Sequence, residues 1–216
     1  MSPKSNLSKQ VVSLCQTKNP TEGLTCFVSL PPNKSGIPYT IPTAILADGT
    51  WIADSANIAR AVEKLYPEPP LHLDSPYWAR VEQIGSKVVQ SIVPLCYSRV
   101  PVNILNDASV EYWYTTRRQR LGMSVQEYEE KNGGEAAYAG AEPHLKEMTQ
   151  VLKENDGPFF MGSQVSNADF SWVAVLLFFK RIDEAIFDEV LKRTGDEAVH
   201  KLLLESCSPW SQRSDH

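Results

Sequence analysis

Cysteine is scarce, with Cys15, Cys26, Cys96 and Cys207 in 216 residues and no C-x-x-C pair among them. That excludes a disulfide-dense secreted scaffold and reads as free thiols in a reducing compartment. The four histidines (His72, His144, His200, His216) share no ligand spacing, so no metal site is expected. Positive charge is not in excess: 21 Lys and Arg against 26 Asp and Glu leave -5, with a pI near 5.4. A general nucleic-acid binder draws its affinity from lysine and arginine on phosphates, so that class is excluded. No apolar run is long enough for a membrane: the longest, Trp172 to Phe179, has eight residues, against about 20 for a spanning helix. Met1-Ser2-Pro3-Lys4-Ser5-Asn6 leads into polar sequence without a signal-peptide core. P-loop, dinucleotide glycine fingerprint, nucleophile elbow and internal repeats are all missing. What is present is ordinary globular usage, 42% hydrophobic and 22% charged, enough for one or two domains with a sizeable core. The expected setting is cytoplasmic.

Two halves differ in texture. Residues 1–74 carry many of the prolines, short β-like runs and a Pro31-Pro32-Asn33-Lys34-Ser35-Gly36 loop. Thr43-Ala44-Ile45-Leu46 and Thr50-Trp51-Ile52-Ala53 flank Ala47-Asp48-Gly49, which predicts a β-hairpin. Ile58, Val62 and Leu65 then mark one face of a helix that Pro67 stops. Glu68-Pro69-Pro70-Leu71-His72-Leu73 separates the halves, giving expected domains at 1–70 and 75–216. Beyond it, Trp78, Val81, Val88, Ile92 and Leu95 form a helical stripe, expected to be interrupted by Pro94 and Pro101. Ser109 to Lys131 reads as one amphipathic segment ended by Gly133-Gly134. Ala141, Leu145, Met148 and Leu152 form a clean apolar face before a break at Asn155-Asp156-Gly157-Pro158. Helices around 183–194 and 196–206 meet at Gly195-Asp196.

Two local signals stand out. Ser166-Asn167-Ala168-Asp169 is a capping box, with Val165 and Phe170 placed for a hydrophobic staple. The helix it opens is apolar on nearly all faces, which predicts the buried centre of the helical domain. The second signal is Tyr39-Thr40-Ile41-Pro42, a proline opening a strand, followed by Asp54-Ser55 at a helix start. A carboxylate and a hydroxyl beside free N–H groups suit a zwitterion, although Asp and Ser are also ordinary caps.

In this order the pieces resemble a glutathione transferase: Tyr-Thr-Ile-Pro, a hairpin, Ala53-Asp54-Ser55-Ala56-Asn57-Ile58, a linker, then helices with Ser166-x-x-Asp169. The likeness covers about residues 28–205. It is nearest to the fungal, FuA-like type related to bacterial β-etherases, because Glu111 to Gly122 is similar to that subgroup's arginine- and aromatic-rich stretch. The resemblance implies an α/β thioredoxin-like N-terminal domain, here truncated, plus an all-α C-terminal domain. It implies glutathione as co-substrate and no metal. Ile41, before a cis Pro42, would pair its backbone with the cysteinyl part of glutathione. Asp54 and Ser55 would hold the γ-glutamyl group, and Lys34 would reach the glycyl carboxylate. An acceptor pocket between the domains would be lined by Tyr97, Arg99, Trp113 and Arg117. Alternatively, arginines 117, 118 and 120 simply face Glu127, Glu129 or Glu130.

The chain departs from the family before Tyr39. Only 38 residues precede it, where the family has a full strand, helix and strand with the thiol-activating residue after the first strand. The expectation is either a displaced start or a diverged relative. Ser2, Ser5 and Cys15 are weak stand-ins for the activating group, so the catalytic residue stays unassigned. Cys96 and Cys207 have no charged activator nearby in sequence. Two functions follow: a glutathione-dependent enzyme on a small hydrophobic or aromatic molecule in fungal secondary-metabolite biosynthesis, by conjugation, ether cleavage or isomerisation, or a noncatalytic carrier of the same fold. A homodimer is implied by the resemblance.

Overall fold

The computed structural model describes residues 43–46 and 48–211. The chain divides between Leu73 and Asp74 into two compact units. In the first, β1 (Thr43–Ile45) and β2 (Trp51–Ala53) pair antiparallel, Thr43 opposite Ala53 and Ile45 opposite Trp51. The Leu46 amide donates to Thr50 O at 2.8 Å, and Asp48 Oδ1 accepts the Thr50 amide at 2.9 Å, so the predicted Asp-Gly turn closes the hairpin. Helix α1 (Ser55–Leu65) follows and ends before Pro67, as its stripe predicts. None of its residues is fully buried, and Leu65 is 52% exposed. The Glu63 carboxylate accepts the Leu71 amide at 2.8 and 3.0 Å, tying the following segment back to α1.

The second unit is helical throughout, apart from isolated bridges between Phe159 and Gly162 and between Met161 and Gln164. Its long element is α2 (Pro76–Cys96), opened by Ser75, whose Oγ accepts the Tyr77 amide at 3.3 Å, with Pro76 at the first helical position. The expected interruption at Pro94 does not occur. Proline removes one amide near the helix end, but Pro94, Leu95 and Cys96 are all buried, and packing holds the last turn in place. Pro101 sits in the first turn of the short α3 (Val100–Asn103), where a missing amide costs little.

The segment expected to be one helix from Ser109 to Lys131 is two. Helix α4 (Asp107–Leu121) stops at Gly122, which takes φ +70°, a conformation costly for a residue with a Cβ. Ser124 then opens α5 (Val125–Asn132) with its own capping box to Glu127. Gly133 ends α5 and starts α6 (Gly134–Leu152); a Cβ there would stand 2.5 Å from the Glu129 carbonyl oxygen and 3.0 Å from Leu95. Ala141, Leu145, Met148 and Leu152 of α6 are all buried, and α6 packs along α2.

Helix α7 (Asn167–Ile182) crosses α2 and also packs on α8 (Glu184–Arg193) and α9 (Glu197–Ser211). Only one of its faces is buried, through Trp172, Val173, Leu176, Phe179 and Ile182, while Phe178 is 38% exposed. Sequence hydrophobicity therefore overstates its coverage. Phe170 meets Trp210 of α9 edge-on, with centroids 5.7 Å apart. The predicted box is present, and its carboxylate does more than cap. Asp169 Oδ2 accepts the Ser166 amide at 2.7 Å and hydroxyl at 2.8 Å, while Oδ1 accepts the Phe160 amide at 2.8 Å. Burial pushes the Asp169 carboxyl above its ordinary value, against these three bonds.

A second polar group is sealed in the core. Trp172 Nε1 donates to His200 Nδ1 at 3.0 Å, which fixes the ring's only proton on Nε2, facing Thr149 Oγ1 at 2.8 Å. The Thr149 hydroxyl donates onward to the Thr194 carbonyl at 2.9 Å. His200 is fully buried, and burial pushes its pKa down to about 4.

Replacing Asp169 with alanine strands two backbone amides in the core, at about 1–3 kcal/mol each. Urea denaturation of Asp169→Ala is expected to show a loss of about 3 kcal/mol or more. For His200 the folded pKa lies below the unfolded value of 6.5, so the unfolded state takes up the proton first on acidification. Stability is whole above pH 6.5 and falls toward pH 4 at about 1.4 kcal/mol per unit, about 3 kcal/mol in all. A His200→Gln variant measured beside the parent from pH 7 to pH 4 is expected to lack that component. Asp169 is common to both proteins, so the difference isolates the imidazole.

Candidate functional site

In the first unit the site residues gather where β2 gives way to α1. Asp54 takes φ +79° and ψ 128°, a backbone region that few residues with a side chain adopt, and such strain costs about 1–3 kcal/mol. The side chain offsets it locally: Asp54 Oδ1 accepts the Ala56 amide at 2.9 Å and the Asn57 amide at 3.3 Å. Asn57 in turn donates to the Ala53 carbonyl at 3.3 Å, bracing the turn from the helix side. The carboxylate is therefore the helix cap, with Oδ2 left over. Ser55 is exposed at the first helical position, and its hydroxyl has no partner among the described residues. The positive end of an 11-residue helix thus presents a carboxylate oxygen and a hydroxyl side by side. That pair can meet an ammonium and a carboxylate carried on one carbon. Lys34, Ile41 and Pro42 lie outside the described residues, as do Ser2, Ser5, Cys15 and Cys26.

In the second unit Tyr97, Trp113 and Arg117 come together, and Arg99 does not join them. Tyr97 caps the C-terminus of α2, and its carbonyl accepts Trp113 Nε1 at 3.2 Å from α4. The two rings meet edge-on with centroids 5.9 Å apart, and Tyr128 of α5 lies 5.8 Å from Tyr97. Arg117, one turn beyond Trp113, stacks its guanidinium 3.8 Å over the indole and 6.0 Å from the Tyr97 ring. Tyr128 is the member that sequence reading missed. Its signal was available only after the break at Gly122 is recognised, because that break folds α5 back beside α4.

Arg99 has another task. Its Nε donates to Asp183 at 2.8 Å, and its Nη1 donates to Glu129 at 2.6 Å and to the Leu95 carbonyl. Ser98 Oγ donates to the other oxygen of Glu129. Although burial opposes it, the two carboxylates hold the guanidinium firmly charged. Arg99 is a clamp joining the end of α2 to α5 and to the start of α8. Of the partners expected for the α4 arginines, Glu127, Glu129 or Glu130, Glu129 is thereby occupied and Glu127 is bonded to Ser124, and Arg117 has no ion pair among the described residues. Burial pushes the Cys96 and Cys207 thiols up to about 12, so neither is a nucleophile near neutral pH. Among the described residues no cluster of His, Cys, Asp or Glu suits a metal ion, and no helix is long and apolar enough to cross a membrane.

This architecture is similar to known proteins at each level of comparison. A family profile described as "Glutathione S-transferase, C-terminal domain" matches residues 79–210. The glutathione S-transferase-like protein ustS of Aspergillus flavus is 26% identical over 187 residues, 79% of this chain and 68% of ustS. A glutathione S-transferase of Ceriporiopsis subvermispora, crystallised in complex with glutathione, has the same fold with a TM-score of 0.68, 23% identity, and coverage of 91% of this chain and 82% of its own. The glutathione transferase GSTFuA3 of Phanerochaete chrysosporium has a TM-score of 0.66 at 20% identity, over 83% of this chain and 74% of its own. The expected architecture, a thioredoxin-like N-terminal part followed by an all-helical C-terminal domain, is that of these fungal enzymes. With the family profile spanning more than half of its length, the chain belongs to the glutathione S-transferase family.

Proposed function

We propose that this protein is a glutathione-dependent enzyme that acts on a small hydrophobic or aromatic molecule in fungal secondary-metabolite biosynthesis. The observation that carries the reading is the Asp54–Ser55 turn, held against backbone strain at the positive end of α1. Strain of this kind persists where the geometry is used. In the proposed complex, Asp54 Oδ2 takes the γ-glutamyl ammonium and the Ser55 hydroxyl takes its carboxylate. The backbone of Ile41 beside Pro42 pairs with the cysteinyl portion, and Lys34 reaches the glycyl carboxylate. Glutathione then presents its sulfur as thiolate, the nucleophilic form. Attack at an electrophilic carbon gives conjugation, displacement of an aryl oxide gives ether cleavage, and reversible addition gives double-bond isomerisation. Tyr97, Trp113 and Arg117 are the acceptor-side residues; the Arg99 guanidinium is already committed to Glu129 and Asp183. A cytoplasmic homodimer is part of the proposal, and sedimentation at micromolar concentration tests the dimer.

The glutathione site is tested with Asp54→Asn. Asparagine keeps an oxygen for the Ala56 and Asn57 amides and tolerates a positive φ. What it removes is the negative charge. Calorimetric titration is expected to show glutathione affinity falling about tenfold or more, with thermal stability nearly unchanged; an unaltered affinity would sink the assignment of this turn. Thiol conjugation by the parent protein no faster than the solution reaction, with glutathione bound, would leave the carrier reading instead.

A further inference from the structure

The arginines of the helical unit divide by what neutralises them. Arg80 holds Glu154 at 2.7 Å, Arg99 holds Glu129 at 2.6 Å and Asp183 at 2.8 Å, and Arg193 holds Glu135 at 2.8 Å and Glu189 at 2.7 Å. On α4, none of Arg117, Arg118 and Arg120 is in an ion pair among the described residues, and of the three only Arg117 is half-buried. Its positions three and four residues away on α4 are Trp113, Tyr114, Arg120 and Leu121, none of them acidic. Glu129, on the facing helix α5, is held by Arg99 and Ser98. Among the described residues, Arg117 Nε is buried with no hydrogen-bond partner, and Nη1 makes only a 3.3 Å contact to Thr116 Oγ1. The guanidinium is nevertheless fixed in place, stacked 3.8 Å over Trp113.

A guanidinium that is half-buried and held against aromatic rings without a carboxylate gives up hydration with no ion pair in exchange. With Nε buried and the plane stacked on Trp113, the two terminal amines are the donors left to a ligand, a fork of the spacing that carboxylates accept. The Trp113 and Tyr97 rings lie against the guanidinium, and Tyr128 in turn lies against Tyr97. We propose that Arg117 selects acceptor substrates carrying a carboxylate on or near an aromatic ring, the carboxylate bound by the terminal amines of the guanidinium and the ring by the aromatic cluster. The inference rests on the acceptor-side reading given above. Glutathione also carries carboxylates, so the source of the bound group has to be decided by experiment.

The test is calorimetric titration of the full chain with naphthoate, with its neutral isostere naphthamide, and separately with glutathione. The parent protein is expected to bind naphthoate about tenfold or more tighter than naphthamide. Arg117→Gln is expected to abolish that ratio while leaving naphthamide and glutathione affinities within about twofold. Arg117→Lys keeps the charge without the flat fork and is expected to fall between; it also serves should the glutamine variant fail to fold, as judged by its far-ultraviolet circular dichroism. Equal binding of the two naphthyl probes, no naphthoate binding at millimolar concentration, or equal weakening of both probes in Arg117→Gln overturns the proposal. Selective loss of glutathione in that variant, with the naphthoate ratio intact, assigns the fork to the tripeptide and overturns it too. A parent protein that binds no glutathione at all contradicts the proposed glutathione site instead, while the naphthoate ratio still decides the role of Arg117.

Discussion

The helical unit is organised around a buried carboxylate that has no cation beside it among the described residues. Asp169 is fully buried, and three hydrogen bonds from Ser166 and Phe160 are what make its charge tolerable there. In accepting them it joins the irregular stretch after α6 to the first turn of α7. The position of Trp172, Leu176 and Phe179 along the core depends on where that turn begins. Asparagine, neutral and of the same size, could pack, but with one acceptor oxygen it could not take Phe160 at one end and Ser166 at the other. The remaining contacts of α7 with α2, α8 and α9 build on a helix whose start is already fixed.

Around the end of α2 a different economy operates. Arg99 engages two carboxylates, Glu129 and Asp183, and links three helices by doing so. Its half-exposed pairs contribute modestly to stability, but they change what α4 can do. With Glu129 taken, Arg117 is left to the aromatic rings, and the same local sequence yields one arginine that holds the fold and one with charge to spare.

Local features were legible from the residues alone. The Ser166-x-x-Asp169 box, the Asp-Gly hairpin and the Gly195-Asp196 junction each depend on fewer than five consecutive residues, so short-range rules suffice. The break at Gly122 was overlooked because Ser109 to Lys131 is polar enough to read as one exposed helix, although Ser124-x-x-Glu127 signals a restart. Pro94 misled in the other direction, since a general rule about prolines was outweighed by burial of the last turn. The roles of Arg99 and Arg117 were not legible. The partners of Arg99 are 30 and 84 residues away, and the isolation of Arg117 follows from those distant pairings. The Asp54–Ser55 motif was visible as a type, while its positive φ belongs to the backbone and leaves no mark in composition.

The chain of bonds from Trp172 through His200 and Thr149 to the Thr194 carbonyl has a direction. Indole can only donate and a carbonyl can only accept, so both ends are fixed and every link between them must pass its hydrogen the same way. Substitution at one link is therefore constrained by donor sense as well as by volume. Phenylalanine at 172 would leave both a cavity and a lone pair facing hydrocarbon, and valine at 149 would silence two neighbours at once. Among relatives of this protein, these positions should change together or not at all.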